Sequence, residues 1–186
     1  RNMKDLIIGA VDKYGWEHIK NWITSIEQSG FEGDIVLLTY RIDESTVQNC
    51  LRHPRMQLIS CEHDSKGKPI NHDAYGRDTQ SHQMRFFHMW QYLKEVKETY
   101  RYVISTDVRD VIFQTNPSIW LDKLETKPSI VAASEGLNYE DEHWSKDNLL
   151  QGFGPYVYED MKQTTINNVG TIAMRGDIAA NFAITL

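Results

Sequence analysis

The apolar positions of this chain change period repeatedly, and each change marks an element. Residues 6–11 are a short unbroken apolar run, the pattern of a strand buried on both faces. Trp16, Ile19, Trp22, Ile23 and Ile26 then recur at helical spacing, and Gly30 supplies a stop. Residues 35–40 read as a second buried strand. Asp43 can cap a helix running to about Leu51, where Pro54 prevents its continuation. A third strand is predicted over 56–60, and the polar, turn-rich stretch 61–77 reads as a loop. A long helix is predicted from about Asp78 to Lys97, burying Phe86, Met89, Trp90, Leu93 and Val96. Further strands are predicted over 102–106, 129–134 and 171–174.

Strand and helix alternate at least three times before residue 106. That alternation predicts an α/β domain with a mostly parallel central sheet flanked by helices. Ligands in such sheets bind beyond the carboxyl ends of the strands, which selects four loops: 12–14, 39–41, 107–110 and 135 onward. The length of 186 residues corresponds to a single domain. The opening without Met and the end within a helix-like pattern fit a domain excised from a longer chain.

Composition removes some classes of function. With 40% apolar and 25% charged residues the chain is an ordinary globular mixture. Its net charge of −6 disfavours a binder of phosphate backbones, so nucleic acid is not an expected partner. No apolar run approaches the ~18 residues of a transmembrane helix. The first residues lead into a strand rather than an apolar signal core. Two cysteines, Cys50 and Cys61, read as free thiols in a reducing compartment, hence a cytoplasmic location, although one bridge between them would also satisfy the count.

The chemistry-bearing segment is Tyr102-Val103-Ile104-Ser105-Thr106-Asp107-Val108-Arg109-Asp110. An apolar strand ends by presenting two carboxylates. Hard divalent cations take oxygen ligands, and Mg²⁺ or Mn²⁺ on a diphosphate commonly uses one or two protein carboxylates. Asp107 and Asp110 suit that task. The alternative is structural, with Asp107 capping a turn while Asp110 pairs with Arg109.

This segment resembles the D-x-D region of the GT-A fold glycosyltransferases, and three further segments resemble that family in the same order. Ile7-Ile8-Gly9-Ala10-Val11-Asp12-Lys13-Tyr14 is similar to the first strand and exit loop that wrap the nucleoside. Gln83-Met84-Arg85-Phe86-Phe87 is similar to the basic helix before the metal strand, and Ile166-Asn167-Asn168-Val169-Gly170-Thr171 to the N-x-G strand beside the donor sugar. The resemblance spans residues 6–177. It implies a Rossmann-like GT-A domain that moves a hexose or deoxyhexose from a UDP-sugar to a glycan or glycoprotein acceptor, with Mn²⁺ or Mg²⁺ as cofactor. It also implies a nucleotide-sugar site made of Gly9, Ala10, Val11, Asp12, Tyr14, Arg77, Arg85, Asp107 and Val108, in which Asp12 reads the uracil edge and Tyr14 stacks on the base. Small GT-A domains of this kind look like bacterial and algal-virus enzymes, the latter including those that decorate capsid proteins in the host cytoplasm. The sequence departs from the family where Arg109 stands in place of the usual second Asp, and it ends soon after the N-x-G strand.

An inverting transferase needs a carboxylate base at the acceptor hydroxyl. Glu135, past the fifth predicted strand, is the first candidate and Asp141 the second, with Asn168 beside the sugar. A retaining enzyme lacks that need, so stereochemistry stays open. Asp78, His82 and Arg85 share one helix face, with Arg77 at its start; the two arginines suit a diphosphate clamp, and the same pattern suits an exposed salt-bridge face. Cys61, His63 and His72 lack a fourth zinc ligand. Lys66-Gly67-Lys68 lacks the P-loop pattern. Trp144, in the polar stretch 138–144, suits either a sugar-binding surface or a solvated acidic loop. Two other classes share such folds: a nucleotidyltransferase, whose Gly-rich loop after the first strand is missing here, and a non-catalytic sugar- or nucleotide-binding module. A phosphohydrolase would want an acidic pair on the first strand, which is absent.

Overall fold

Runs of apolar residues without polar interruption become strands that lie between two helical layers. The computed structural model describes residues 3–62, 81–96 and 99–186. Its elements are β1 (Leu6–Asp12), α1 (Trp16–Gln28), β2 (Asp34–Tyr40), α2 (Glu44–Cys50), β3 (Met56–Ser60), α3 (Ser81–Glu95), β4 (Tyr102–Thr106), α4 (Pro117–Asp122), β5 (Ile130–Asn138), α5 (His143–Met161), β6 (Thr165–Arg175) and α6 (Gly176–Thr185). The six strands form one sheet in the order β3-β2-β1-β4-β6-β5. The pairs β1–β2, β2–β3 and β1–β4 are parallel; β6 runs antiparallel to both β4 and β5. This is the mostly parallel single-domain α/β sheet expected from the alternation.

The period of two along the strands sorts the core into two layers. Ile7, Val11, Ile35, Leu37 and Ile104 pack with Ile19, Trp22, Ile23 and Ile26 of α1. Leu6, Ile8, Val36, Leu38 and Val103 face the other way, onto Phe86 and Met89 of α3 and Ala179 and Ala183 of α6. Trp22 is fully buried, and its indole N–H donates to Thr106 Oγ1 at 2.9 Å, tying α1 to the end of β4. Trp22→Phe is expected to lower stability by about 1–2 kcal/mol through the lost hydrogen bond and ring volume, read as a lower midpoint in denaturant unfolding. Gly9 on β1 faces the same contact. A Cβ there would stand 2.6 Å from Val108 Cγ2 and 3.1 Å from Trp22 Cζ2, so only glycine lets the helix and the β4 exit loop close on this strand.

Several boundaries differ from the sequence pattern. β5 continues to Asn138 and contains Glu135, because bulges between Ala132 and Ala133 and between Ser134 and Asn138 break the alternation that would reveal a strand. β6 begins at Thr165, since its polar Asn167 and Asn168 lie on exposed backbone. The stretch expected to be a polar loop holds the start of α5: the Glu142 carboxylate caps that helix by accepting from the N–H of Trp144 and of Ser145. Gly154, at φ 81°, and Pro155 break α5 in its second half. Asp43 caps α2 as expected, accepting from Thr46 N at 2.7 Å. Both cysteines are free and buried, with their thiols pushed up to about 11 by burial. No helix among the described residues is long and apolar enough to cross a membrane.

Candidate active site

The sheet order reverses beside β1: the chain fills β2 and β3 on one side, then crosses to β4 on the other. Strands at such a reversal splay at their carboxyl ends and open a crevice. A cleft of about 330 Å³ lies there. Ala10, Val11, Asp12 and Tyr14 supply one wall, Asp107, Val108, Arg109 and Asp110 the other, and Tyr40, Ser81 and Arg85 the remainder.

Asp107 is held from two directions. Its backbone N–H donates to Gly170 O at 2.7 Å, and its carboxylate accepts from Arg85 Nη1. The carboxylate is 44% exposed, whereas the Arg85 side chain is only 13% exposed. Arg85 Nε is buried with no hydrogen-bond partner among the described residues. The guanidinium thus lines the cleft with its Nε turned into the protein. Beyond it, Arg109 forms a two-bond pair with Asp110 at 2.9 and 3.1 Å, and that hydrogen bond holds Asp110 below the ordinary carboxylate pKa. Both side chains are more than half exposed, at the cleft rim. The Arg109 guanidinium also lies 5.7 Å from the Tyr14 ring centroid, while that ring stacks on His18.

Asp12 ends β1 opposite Tyr40. Burial raises its pKa, but hydrogen bonds from Arg41 and Ser81 outweigh this and hold it below the usual value, so the group is ionised at neutral pH. Tyr40, buried, shares a 2.6 Å hydrogen bond with His88 Nδ1 behind the cleft wall.

A second chain of contacts leads from Asp107 to β5. Gly170 N donates to Asn168 Oδ1, and Asn168 Nδ2 donates to Glu135 Oε1 at 2.9 Å. A Cβ on Gly170 would stand 2.5 Å from Asp107 Oδ2 and 2.7 Å from Asn168 Oδ1. The glycine therefore serves as the surface on which the Asp107 carboxylate rests.

Of the residues singled out from sequence, the fold brings Ala10, Val11, Asp12, Tyr14, Arg85, Asp107, Val108 and Asp110 to one cleft. Gly9 lies buried beneath it, against Val108. Glu135 and Asn168 stand outside the cleft lining but are bonded to β6 at Gly170, beside Asp107. Asp141 sits in the turn between β5 and α5, its N–H bonded to Asn138 O, apart from the cleft. Arg77, with Asp78, His63, His72 and Lys66–Lys68, lies outside the described residues. Tyr40, Arg41 and Ser81 were not singled out. The first two fall in the loop 39–41 that strand-end reasoning selects, whereas nothing in the local sequence marks Ser81.

Among the described residues no three His, Cys, Asp or Glu side chains converge on one point. Three described carboxylates line the cleft; Asp12 is held by Arg41 and Ser81, which leaves Asp107 and Asp110, each more than two-fifths exposed, as a set that suits Mn²⁺ or Mg²⁺ shared with phosphate oxygens rather than a closed protein cage.

No protein-family model matches the chain, and no curated protein matches it. Solved structures do. The galactosyltransferase LgtC, in complex with donor and acceptor sugar analogues, superposes with a TM-score of 0.58 at 14% identity, covering 96% of this chain and 59% of that one. Glucosyl-3-phosphoglycerate synthase from Mycobacterium tuberculosis, in complex with Mn²⁺, UDP and glucosyl-3-phosphoglycerate, gives 0.52 at 14% identity, covering 95% and 58%. A 4-diphosphocytidyl-2C-methyl-D-erythritol synthase from Anaerococcus prevotii gives 0.58 at 10% identity, covering 100% and 77%. The chain thus spans about 59% of the length of LgtC. At these identities the likeness is one of fold, and the fold of this chain is the Rossmann-like GT-A arrangement found in glycosyltransferases.

Proposed function

We propose that the domain is a glycosyltransferase that moves a hexose or deoxyhexose from a UDP-sugar to a growing glycan, on a protein or free, in the cytoplasm. The observation that carries this reading is the cleft at the β1–β4 reversal, where Ala10, Val11, Asp12 and Tyr14 face Arg85, Asp107 and Asp110. The GT-A likeness to sugar transferases supports it.

In this reading the first wall takes the uridine, with Asp12 as acceptor for the base N–H. Glycosyl transfer breaks the bond between the anomeric carbon and the diphosphate, so negative charge grows on the leaving UDP. Arg85 answers that charge: it lines the cleft, is largely buried and is fixed by Asp107. Asp107 and Asp110 would hold Mn²⁺ or Mg²⁺, which would supply positive charge against the phosphates. Glu135 takes the acceptor proton, oriented by Asn168; Asp141 is the reserve candidate for that base. Arg77 adds a second cation toward the phosphates.

One observation favours a second reading. The likeness to the diphosphocytidyl synthase extends over the whole chain and 77% of that enzyme, which raises nucleotidyl transfer. A panel of UDP-sugars offered to a glycan array with Mn²⁺ separates the two. Sugar incorporation with UDP release is the expected result. Pyrophosphate release from CTP or UTP, with no sugar incorporated, would establish the second reading in its place. If nucleotide and metal bind but neither reaction proceeds, the domain is a binding module.

A further inference from the structure

The carboxyl ends of β1 and β2 share an unusual geometry. Their pairing runs in register to Asp12 opposite Tyr40 and closes with Lys13 N donating to Tyr40 O at 3.0 Å. The next residue on each strand, Lys13 at φ 57° and Arg41 at φ 51°, is in the left-handed region that non-glycine residues avoid. These two turns set Asp12 and Arg41 side by side at the cleft. Arg41 Nε donates to Asp12 Oδ1 at 2.8 Å, Arg41 Nη2 donates to Oδ2, and Ser81 Oγ, from the first turn of α3, donates to Oδ2 at 2.8 Å. Donors from two segments, the exit of β2 and the start of α3, thus converge on one carboxylate at the end of β1.

Stability is a poor explanation for this convergence. The Arg41 side chain is 55% exposed, and ion pairs with so exposed a partner contribute little to folding. Orientation is the better one. A carboxylate oxygen offers about two acceptor positions. Among the described residues Oδ2 receives two donors and is filled, while Oδ1 receives one and keeps a single position open.

We propose that Arg41 and Ser81 are positioning residues that turn Asp12 into a one-donor acceptor and thereby select uracil over other bases. The proposal rests on the UDP-sugar reading and names how that site chooses its nucleotide. Uracil presents one N–H on its pairing edge, at N3. At the same depth cytosine presents the N3 lone pair, which a carboxylate repels, and guanine presents two donors where one position is open. A carboxylate free to rotate would lose this distinction by turning Oδ2 or Oδ1 toward whichever donor arrives.

The test compares UDP, CDP and GDP binding to the whole chain in Mn²⁺ by calorimetry, in wild type, Arg41→Ala, Arg41→Lys and Ser81→Ala. The three nucleotides carry the same diphosphate, so loss of the Arg41 charge cancels in the ratio of their dissociation constants, and a merely structural role would not move that ratio. Wild type is expected to prefer UDP over CDP and GDP by at least about tenfold. Arg41→Ala should bring the ratio to within about threefold of unity, Ser81→Ala should lower it without any change of charge, and Arg41→Lys should restore part of it. A UDP preference that survives both Arg41→Ala and Ser81→Ala overturns the clamp and leaves the UDP-sugar reading standing. Should Arg41→Ala fail to fold, Ser81→Ala and Arg41→Lys decide the matter by the same ratio. A wild type that binds none of the three nucleotides overturns the donor reading, and the clamp with it.

Discussion

Asp107→Asn is expected to abolish metal-dependent UDP binding and to reduce sugar transfer by about 100-fold or more, taking several kcal/mol as the metal's share in stabilising the leaving diphosphate. The fold should survive. Asn is isosteric with Asp, the local backbone is held by Asp107 N to Gly170 O rather than by the side chain, and the carboxylate is 44% exposed. The substitution removes the negative charge beside Arg85 while an amide oxygen can still accept from it, so UDP alone should still bind through that arginine. Loss should therefore appear in the coupling between metal and UDP, which by linkage is the same measured from either ligand. Asp110→Asn should weaken the same coupling, because its carboxylate must leave Arg109 to join the metal. Titration of UDP with and without Mn²⁺ checks both variants, and Asp110→Asn with full coupling would show that Asp107 holds the metal without it.

Gly170→Ala is expected to cost almost as much activity by moving a single carboxylate. The added methyl would stand 2.5 Å from Asp107 Oδ2, closer than real carbon atoms approach an oxygen, so the side chain must turn away. Misplacing a reacting or ligating group by about 1 Å can cost on the order of 100-fold, and a loss of about 10- to 100-fold in kcat is expected here. Asn168 Oδ1, 2.7 Å from the same methyl, would shift too and release Glu135. Melting temperature should stay close to that of wild type, since the displaced side chains of Asp107, Asn168 and Glu135 are solvent-exposed rather than packed in the core. Wild-type kcat in Gly170→Ala would show that the Asp107 carboxylate does not act from the position seen here.

Most of the sheet was legible: β1 and β2, buried between parallel neighbours, are near-unbroken apolar runs and differ from the predicted ranges by one residue at an end, and the shorter β3 and β4 coincide with theirs. β5 and β6 were only half legible. Their paired bulges and exposed polar residues erase the period of two over 133–138 and 165–170, which is where Glu135 and Asn168 lie. The start of α5 was hidden for a different reason. Its cap is Glu142, a residue less often found there than Ser, Thr, Asp or Asn, so the acidic stretch looked like a loop. The cleft itself was legible through strand ends and family resemblance, down to Asp12, Arg85 and Asp107. Two of the three arginine–carboxylate pairs were not legible, Asp12 with Arg41 and Asp107 with Arg85, whereas the sequence itself offered the third, Asp110 with Arg109, as the alternative to metal ligation. Only the last pair is local in sequence, and the other two are created by the fold bringing together residues 29 and 22 positions apart.

These pairings leave the described cleft close to electroneutral. A dication alone would meet Arg85 and Arg109, and a diphosphate alone would meet Asp12, Asp107 and Asp110. The two together bring charges that offset one another, which favours their joint entry. The most direct test of the central claim is release of UDP from UDP-hexoses by the purified domain without acceptor, followed with Mn²⁺ present and after chelation, in wild type and Asp107→Asn. Slow UDP release that requires both Mn²⁺ and Asp107 is the predicted result. UDP-hexoses that stay intact in wild type across the panel, or are cleaved equally after chelation and in Asp107→Asn, would contradict it.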